Sequence, residues 1–190
     1  MLSTHVFSKF RTDILDEGDI AHLWEHSLAV AGYAKRIALM EMSAQPVVDD
    51  CFTAGLLHDV GKLVLASSVR VKYADVLRVV RESGQSLGMA ETEVLGCTHA
   101  DVGAYLLGLW GLPDNIIEGV AFHHAPWDSF QERFSPVAAT HVASVYHRRQ
   151  NPTWFQDKTE LDVEYLRRIG CAEKEEKWRG VVEETAENGE

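Results

Sequence analysis

The histidines of this 190-residue sequence are its most informative residues, and three ionisable groups lie together in one apolar segment. That segment, residues 53–65, reads TAGLLHDVGKLVL and carries His58, Asp59 and Lys62 near its centre. Burying charged or polar groups is costly unless they are paired, hydrogen-bonded or bound to metal. The segment therefore predicts one of two things. Either these residues satisfy one another within the packed fold, or they form a site for something that needs them.

Further histidines recur on separate stretches with helical periodicity. His22 and His26 are four residues apart, so they lie on one face of one helix. Imidazole is the commonest protein metal ligand, and helix bundles build metal sites from facing helices. A single buried histidine is more often a hydrogen-bonded core residue than a ligand, but recurrence on several helices favours a shared metal site. The later candidates are His99, His123, His124 and His141.

Other polar residues have ordinary structural interpretations. His5 and His147 lie among polar neighbours, so we expect both at the surface. Glu91 and Glu93 are expected to cap or solvate the start of a helix, where negative charge is favourable. Taken alone, Lys62 is typical of a solvated cation near a helix end.

The composition restricts the class of protein. The chain is 46% hydrophobic and 25% charged, as expected for a globular domain. The net charge of -11 disfavours general nucleic-acid binding, because phosphate neutralisation needs Lys and Arg. Three cysteines without CxxC spacing predict reduced thiols in a cytoplasmic protein. We find neither a signal-peptide pattern nor an apolar run of about 20 residues, so no membrane association is expected.

Helical periodicity dominates the chain and predicts an all-α fold, a helical bundle with the metal site between core helices. We predict helices over residues 19–42, 47–58, 73–83, 91–110, from Pro113, 135–150 and 161–169, with stops at Gly61, Gly84 and Gly170. Residues 1–18 form an N-terminal extension and residues 19–150 the main domain. Residues 151–190 form a C-terminal helical appendage with a frayed tail.

The order of these motifs resembles the HD superfamily of metal-dependent phosphohydrolases. The similarity to its HDOD branch is close over about residues 19–150, in the stretches LWEHSLAVAGYAKRIA, AGLLHDVGKLVL and ETEVLGCTHADVGAYLLGLWGLPDNIIEGVAFHHAP. HDOD modules are bacterial signalling output domains related to the HD-GYP phosphodiesterases of cyclic di-GMP. As a group they are often thought to be catalytically silent.

The resemblance implies an HD-domain helical bundle holding a divalent metal, Fe, Mn or Zn. It assigns as metal ligands His26, His58, Asp59, His99, His123 and His124. Asp59 is the carboxylate that can bridge two metals, and Lys62 matches a lysine that contacts phosphate in the enzymes, so these two are the candidate catalytic residues. His22 matches a position where HD-GYP proteins can carry a Glu ligand, and His141 is a further candidate.

Three departures from the family pattern bear on activity. Ser144 lies where the family has its final Asp ligand, and Ser is a poor ligand for a hard divalent cation. His141, one turn earlier, is expected to substitute in part. The residues after His124 read APWDSF, without the Gly-Tyr-Pro loop of HD-GYP proteins. Only 18 residues precede the LWEHS helix, so we expect a shortened form or a fragment of a larger protein.

These observations leave three functional hypotheses. The first is a signalling domain with a retained mono- or dinuclear metal site and little or no turnover. The second is an active phosphohydrolase acting on a nucleotide or cyclic dinucleotide, and the third is an interaction domain without metal. The expected partner is a signalling protein or a phosphorylated small molecule, with a homodimer as a further option.

Overall fold

The described part of this computed structural model, residue 15 with residues 17–153 and 158–188, contains helices and no strand. The all-α class predicted from the sequence is confirmed. The α-helices are α1 (Glu17–Met40), α2 (Gln45–Leu57), α3 (Val60–Ser68), α4 (Arg70–Ser83), α5 (Leu87–Leu95), α6 (His99–Leu109), α7 (Asp114–Ala121), α8 (Pro136–Gln150), α9 (Val163–Arg168) and α10 (Glu175–Asn188). Two short 3-10 helices cover Pro126–Asp128 and Ala172–Lys174.

Helix α8 lies at the centre of the main core and is buried along almost its whole length. Every residue from Pro136 to Arg148 is buried, so this helix has no solvent-facing stripe over that stretch. Val142 packs in one cluster with Val30 of α1 and Val48 of α2. Trp178 of α10 is fully buried in the same cluster. Elements far apart in sequence therefore share one core.

The prediction that Gly61 ends a helix is wrong, because Gly61 lies inside α3. A Cβ atom at this position would lie 1.9 Å from the backbone oxygen of His99. Glycine is thus required for the close approach of α3 to the start of α6, since any side chain would collide with that backbone. This approach brings Asp59 and Lys62 to His99.

The single helix predicted over residues 91–110 is two helices, α5 and α6. Gly96 takes a left-handed conformation, with φ of 78°, and ends α5. Thr98 and Asp101 then form a capping box that starts α6 at His99. The end of α5 and the start of α6 each have their own capping residues. The chain can therefore change direction between the two helices.

Several other predicted boundaries are confirmed within a few residues. Helix α4 ends at Gly84, which has φ of 67°. Helix α8 begins after Ser135 with Pro136 in its first turn and ends at Gln150. The helix predicted over residues 161–169 is shorter, since α9 covers Val163–Arg168. In the described part of the chain, no helix is both long and apolar enough to cross a membrane.

Candidate metal centre

The carboxylate of Asp59 lies between α2 and α3 and is 2% exposed. Its Oδ2 atom accepts a hydrogen bond from Lys62 Nζ at 2.7 Å. The Nε2 atoms of His58 and His26 lie 3.4 Å and 3.8 Å from the same oxygen. We call this group, His26, His58 and Lys62 with Asp59 Oδ2, the Oδ2 half of the centre.

The other oxygen of Asp59 faces a second set of imidazoles. Oδ1 lies 3.3 Å from His99 Nε2 and 3.8 Å from His123 Nε2. His124 Nε2 lies 3.0 Å from His99 Nε2. We call this group, His99, His123 and His124 with Asp59 Oδ1, the Oδ1 half.

Two of the imidazoles are oriented by matching backbone contacts. His58 Nδ1 donates to the carbonyl of Gly55 at 2.8 Å, and His123 Nδ1 donates to the carbonyl of Val120 at 2.7 Å. A carbonyl accepts only, so Nδ1 carries the hydrogen in both rings and Nε2 carries the lone pair. Both lone pairs therefore face Asp59, which is the arrangement found in metal sites whose ligands are held by outer contacts.

His99 is oriented by Glu91 of α5. Its Nδ1 donates to Glu91 Oε2 at 2.7 Å, and Tyr73 donates to the other carboxylate oxygen at 3.3 Å. Glu91 is fully buried, so it does not solvate a helix start, but its Oε2 accepts from the backbone N–H of His99 at 2.8 Å and so caps the first turn of α6. The sequence contained a signal for this position, because Leu87, Ala90 and Glu91 fall on one buried stripe.

The remaining two rings contact residues that the sequence analysis did not assign to the site. His26 Nδ1 lies 2.7 Å from His147 Nδ1, and His124 Nδ1 lies 2.8 Å from Thr159 Oγ1. His147 is 8% exposed, so its expected surface position is wrong. The prediction relied on its polar neighbours in sequence, whereas helical periodicity did not reveal that α8 is buried on all sides up to Arg148.

Burial keeps most of these histidines in the neutral form that binds metal. It lowers the pKa of His58 to about 4 and the pKa of His26, His123 and His124 well below the ordinary value.

Besides the ammonium of Lys62, two members of the centre carry charge. Burial acts to lower the pKa of His99, but the carboxylates of Glu91 and Asp59 together outweigh it and raise that pKa to about 9. Burial acts to raise the pKa of Asp59, yet His58 and Lys62 hold it well below its usual range, so the carboxylate is ionised.

The chemistry of the donor set fits a divalent cation. Asp59 Oδ1 and His123 Nε2 are buried and have no hydrogen-bond partner among the described residues. The ligand atoms of Asp59, His99, His123 and His124 lie within 4.8 Å of one another, as do those of His26, His58 and Asp59. Buried acceptors without a hydrogen bond are unfavourable, and a bound cation would satisfy both of these atoms once the charged His99 released the hydrogen on its Nε2.

His141 and His22 lie outside both halves among the residues that the structure describes. His141 Nδ1 donates to the carbonyl of His123 at 2.8 Å, and its Nε2 accepts from the backbone N–H of Asp162 at 3.0 Å. Both ring nitrogens are occupied, so His141 is placed as an anchor for His123 rather than as a ligand. His22 interacts electrostatically with His147.

Ser144, at the position where the resemblance leads us to expect a carboxylate, is fully buried. Its hydroxyl has no hydrogen-bond partner among the described residues. His141 does not replace the missing carboxylate, because its nitrogens are used elsewhere.

Two cavities reach the centre. One of about 90 Å³ reaches Asp59 and is otherwise lined mostly by apolar side chains such as Leu23 and Leu63. The other, of about 690 Å³, reaches His124. Its described lining residues include Glu93, Asp101 and Asp128 but no Lys or Arg, so it does not offer the positive charge that an anionic ligand requires.

Comparison with known proteins was made on sequence and on structure. The family model of the HDOD domain matches residues 1–126. An HDOD domain protein of unknown function from Geobacter sulfurreducens has a TM-score of 0.72 at 26% identity, covering 88% of this chain and 59% of that one. The MmoQ response regulator from Methylococcus capsulatus has a TM-score of 0.54 at 24% identity, covering 86% and 61%. An uncharacterized protein of Treponema pallidum is 26% identical, over 62% of this chain and 23% of its own length. The chain thus spans less than two thirds of each of these relatives.

Proposed function

The chain belongs to the HDOD family, and we propose that it is a bacterial signalling module that holds a divalent metal and turns over little or no substrate. One observation carries the proposal. The imidazoles around Asp59 keep their Nε2 atoms directed at its carboxylate, while the buried Ser144 supplies a hydroxyl where the HD pattern has a carboxylate. The donor set therefore supports binding, but with one negative charge fewer than an HD enzyme offers.

The surroundings of the centre also argue for weak turnover. Lys62 is 3% exposed and its ammonium group is held by Asp59, so it is not presented to a phosphate in either cavity. The larger cavity carries the carboxylates of Glu93, Asp101 and Asp128, which repel a phosphorylated substrate. A nucleotide would therefore approach His124 against unfavourable electrostatics.

The alternative is an active metal-dependent phosphohydrolase for a nucleotide or cyclic dinucleotide. It is supported by the same directed imidazoles and by the ionised Asp59. The chemistry that a divalent metal supplies at such a site is neutralisation of charge on the phosphoryl group and activation of water. In this chain Asp59 would hold the metal, and the histidines would complete its ligands.

As a signalling module, the protein would act on a partner protein through its shape rather than through a product. The candidate ligands come from α1, the α2–α3 junction, α6 and the residues after α7, so metal occupancy would tie these elements together. A homodimer and a cytoplasmic location stay predictions from the sequence, as do the domain limits at residues 18 and 150.

The test combines metal content and turnover in one preparation without a His tag. We expect bound Fe, Mn or Zn by inductively coupled plasma mass spectrometry, and loss of that metal in Asp59→Ala. We also expect hydrolysis of bis(p-nitrophenyl) phosphate and of cyclic dinucleotides at the level of buffer. Turnover that disappears in Asp59→Ala would establish the phosphohydrolase instead, and a wild-type protein without metal after reconstitution would refute both.

A further inference from the structure

We infer that the two halves of the centre are not equivalent, and that a single metal binds in the Oδ1 half while Lys62 takes the cation position of the Oδ2 half. This inference rests on the proposed function, because it specifies where the metal of that function binds.

The first argument is the ammonium group already placed at Asp59 Oδ2. Lys62 Nζ lies 2.7 Å from that oxygen, and the side chain is 3% exposed. A metal bound between His26, His58 and Oδ2 would bring a second cation against the same oxygen. Removing the buried ammonium from its carboxylate is unfavourable, because neither group is solvated there.

The second argument is the charge of the Oδ2 half. The ammonium of Lys62, 2.7 Å from Oδ2, offsets the carboxylate of Asp59, and the imidazoles of His26 and His58 supply no negative charge. Ser144 brings no negative charge. A divalent cation would thus enter a buried half with no net negative charge to offset it, which low-dielectric surroundings penalise strongly.

The third argument is that the Oδ1 half has candidate metal ligands whose lone pairs are not satisfied. Asp59 Oδ1 and His123 Nε2 both lack a hydrogen-bond partner within the described chain. Three imidazoles and one carboxylate oxygen amount to four donors, the number that a tetrahedral site requires. Glu91 holds the His99 ring in place behind this half. Four candidate donors therefore converge at Oδ1, whereas the ammonium of Lys62 is bonded to Oδ2.

His58 and His123 offer a matched pair of variants. Both side chains are fully buried, and both donate from Nδ1 to the carbonyl three residues earlier, at 2.8 Å and 2.7 Å. They differ in the oxygen of Asp59 that their Nε2 faces. In His58→Asn and His123→Asn, the side-chain amide N–H can still donate to the same backbone carbonyl. The Nε2 lone pair, which would bind the metal, is lost.

The experiment measures Co²⁺ binding to the full chain, by metal content, by chelator competition and by the visible absorption of the bound ion. We expect one equivalent in the wild type. His123→Asn should weaken Co²⁺ affinity by at least about 100-fold, whereas His58→Asn should keep one equivalent, the wild-type absorption and an affinity within about threefold. Circular dichroism melts confirm that both variants fold.

The outcomes separate the inference from the proposed function. Two equivalents in the wild type, equal losses in the two variants, or loss in His58→Asn alone would overturn the inference and leave the proposed metal-binding module in place. No Co²⁺ binding by the wild type would overturn the proposed function itself.

A second pair of variants keeps the inference testable if either asparagine variant fails to fold. Lys62→Met removes the ammonium. The double variant Lys62→Met with Ser144→Asp also introduces a carboxylate at position 144, where the HD pattern has its final Asp ligand. We expect the double variant to bind a second equivalent of Co²⁺. A double variant that folds and still binds one equivalent would contradict the role assigned to Lys62.

Discussion

Glu91 and His99 are joined by two hydrogen bonds to a single oxygen. Glu91 Oε2 accepts from the backbone N–H of His99 at 2.8 Å and from its Nδ1–H at 2.7 Å. The carboxylate therefore sets both the start of α6 and the direction of the His99 ring. Through this contact a fully buried residue of α5 controls the orientation of a candidate ligand.

Glu91→Gln should weaken metal binding by about 10–100-fold without removing any ligand. A neutral amide is a weaker acceptor than a carboxylate, so the His99 ring is less well held and its Nε2 is less basic. Glu93→Gln is the control, because Glu93 lies on the same helix but is exposed. Chelator competition gives the two affinities, and equal values for the two variants would show that Glu91 has no such role.

Gly61→Ala should lower the free energy of unfolding by about 3 kcal/mol, at the upper end of what overpacking a core costs. The added methyl group would lie 1.9 Å from the backbone oxygen of His99, and backbone atoms cannot move aside cheaply. Urea titration of the metal-free protein measures the change.

Gly32→Ala provides the control for that substitution. Gly32 lies inside α1, and a Cβ there would meet no atom within 4 Å. Because alanine is favoured over glycine inside a helix, we expect this variant to gain about 0.5–1 kcal/mol. A Gly61→Ala protein as stable as Gly32→Ala would contradict the close approach of α3 to α6.

His141 should make the metal-free protein sensitive to acid. Burial lowers its pKa to about 4, so the unfolded chain, with a pKa of about 6.5, binds a proton first as the pH falls. The stability that His141 contributes is complete above about pH 6.5 and is lost between about pH 6.5 and pH 4, an effect on the order of 3 kcal/mol.

The difference in unfolding free energy between the wild type and His141→Gln should therefore narrow as the pH falls from 7 to 4. Urea titrations at several pH values measure it. A constant difference would mean that His141 keeps its ordinary pKa in the fold.

The three cysteines should differ in reactivity. Burial raises the pKa of the fully buried Cys51 to about 12, and Cys171 is also buried, whereas Cys97 is partly exposed. Since the thiolate is the reacting form, Ellman's reagent at pH 8 should titrate one thiol in the native protein and three in denaturant. Cys97→Ser should remove the native reaction, and fast labelling of Cys51 would be incompatible with its position in the core.

The sequence alone determined the helical class, and through the resemblance it predicted which residues form the candidate centre. Both depend on local information, because helical periodicity is a property of neighbouring residues and the histidines recur on it in order. The structure brings together the side chains that the resemblance assigns as ligands, and their role as metal ligands stays a prediction: His26, His58, Asp59, His99, His123 and His124.

Tertiary packing decided the features that the helical periodicity of the sequence does not contain. The break at Gly96 that separates α5 from α6, and the burial of Glu91 behind His99, depend on how the chain folds back on itself. His147 is buried because α8 is surrounded on all sides by other elements, whereas its neighbours in sequence are polar.

The different surroundings of the two carboxylate oxygens of Asp59 are the clearest case. The sequence places Asp59 next to His58 and three residues before Lys62, but it does not say which oxygen each group faces. The close packing of α3 on α6 at Gly61 directs Oδ1 to His99 and leaves Oδ2 to Lys62. Spacing along one chain determines which groups are available, and only the packing of separate helices determines the distances on which charge and coordination depend.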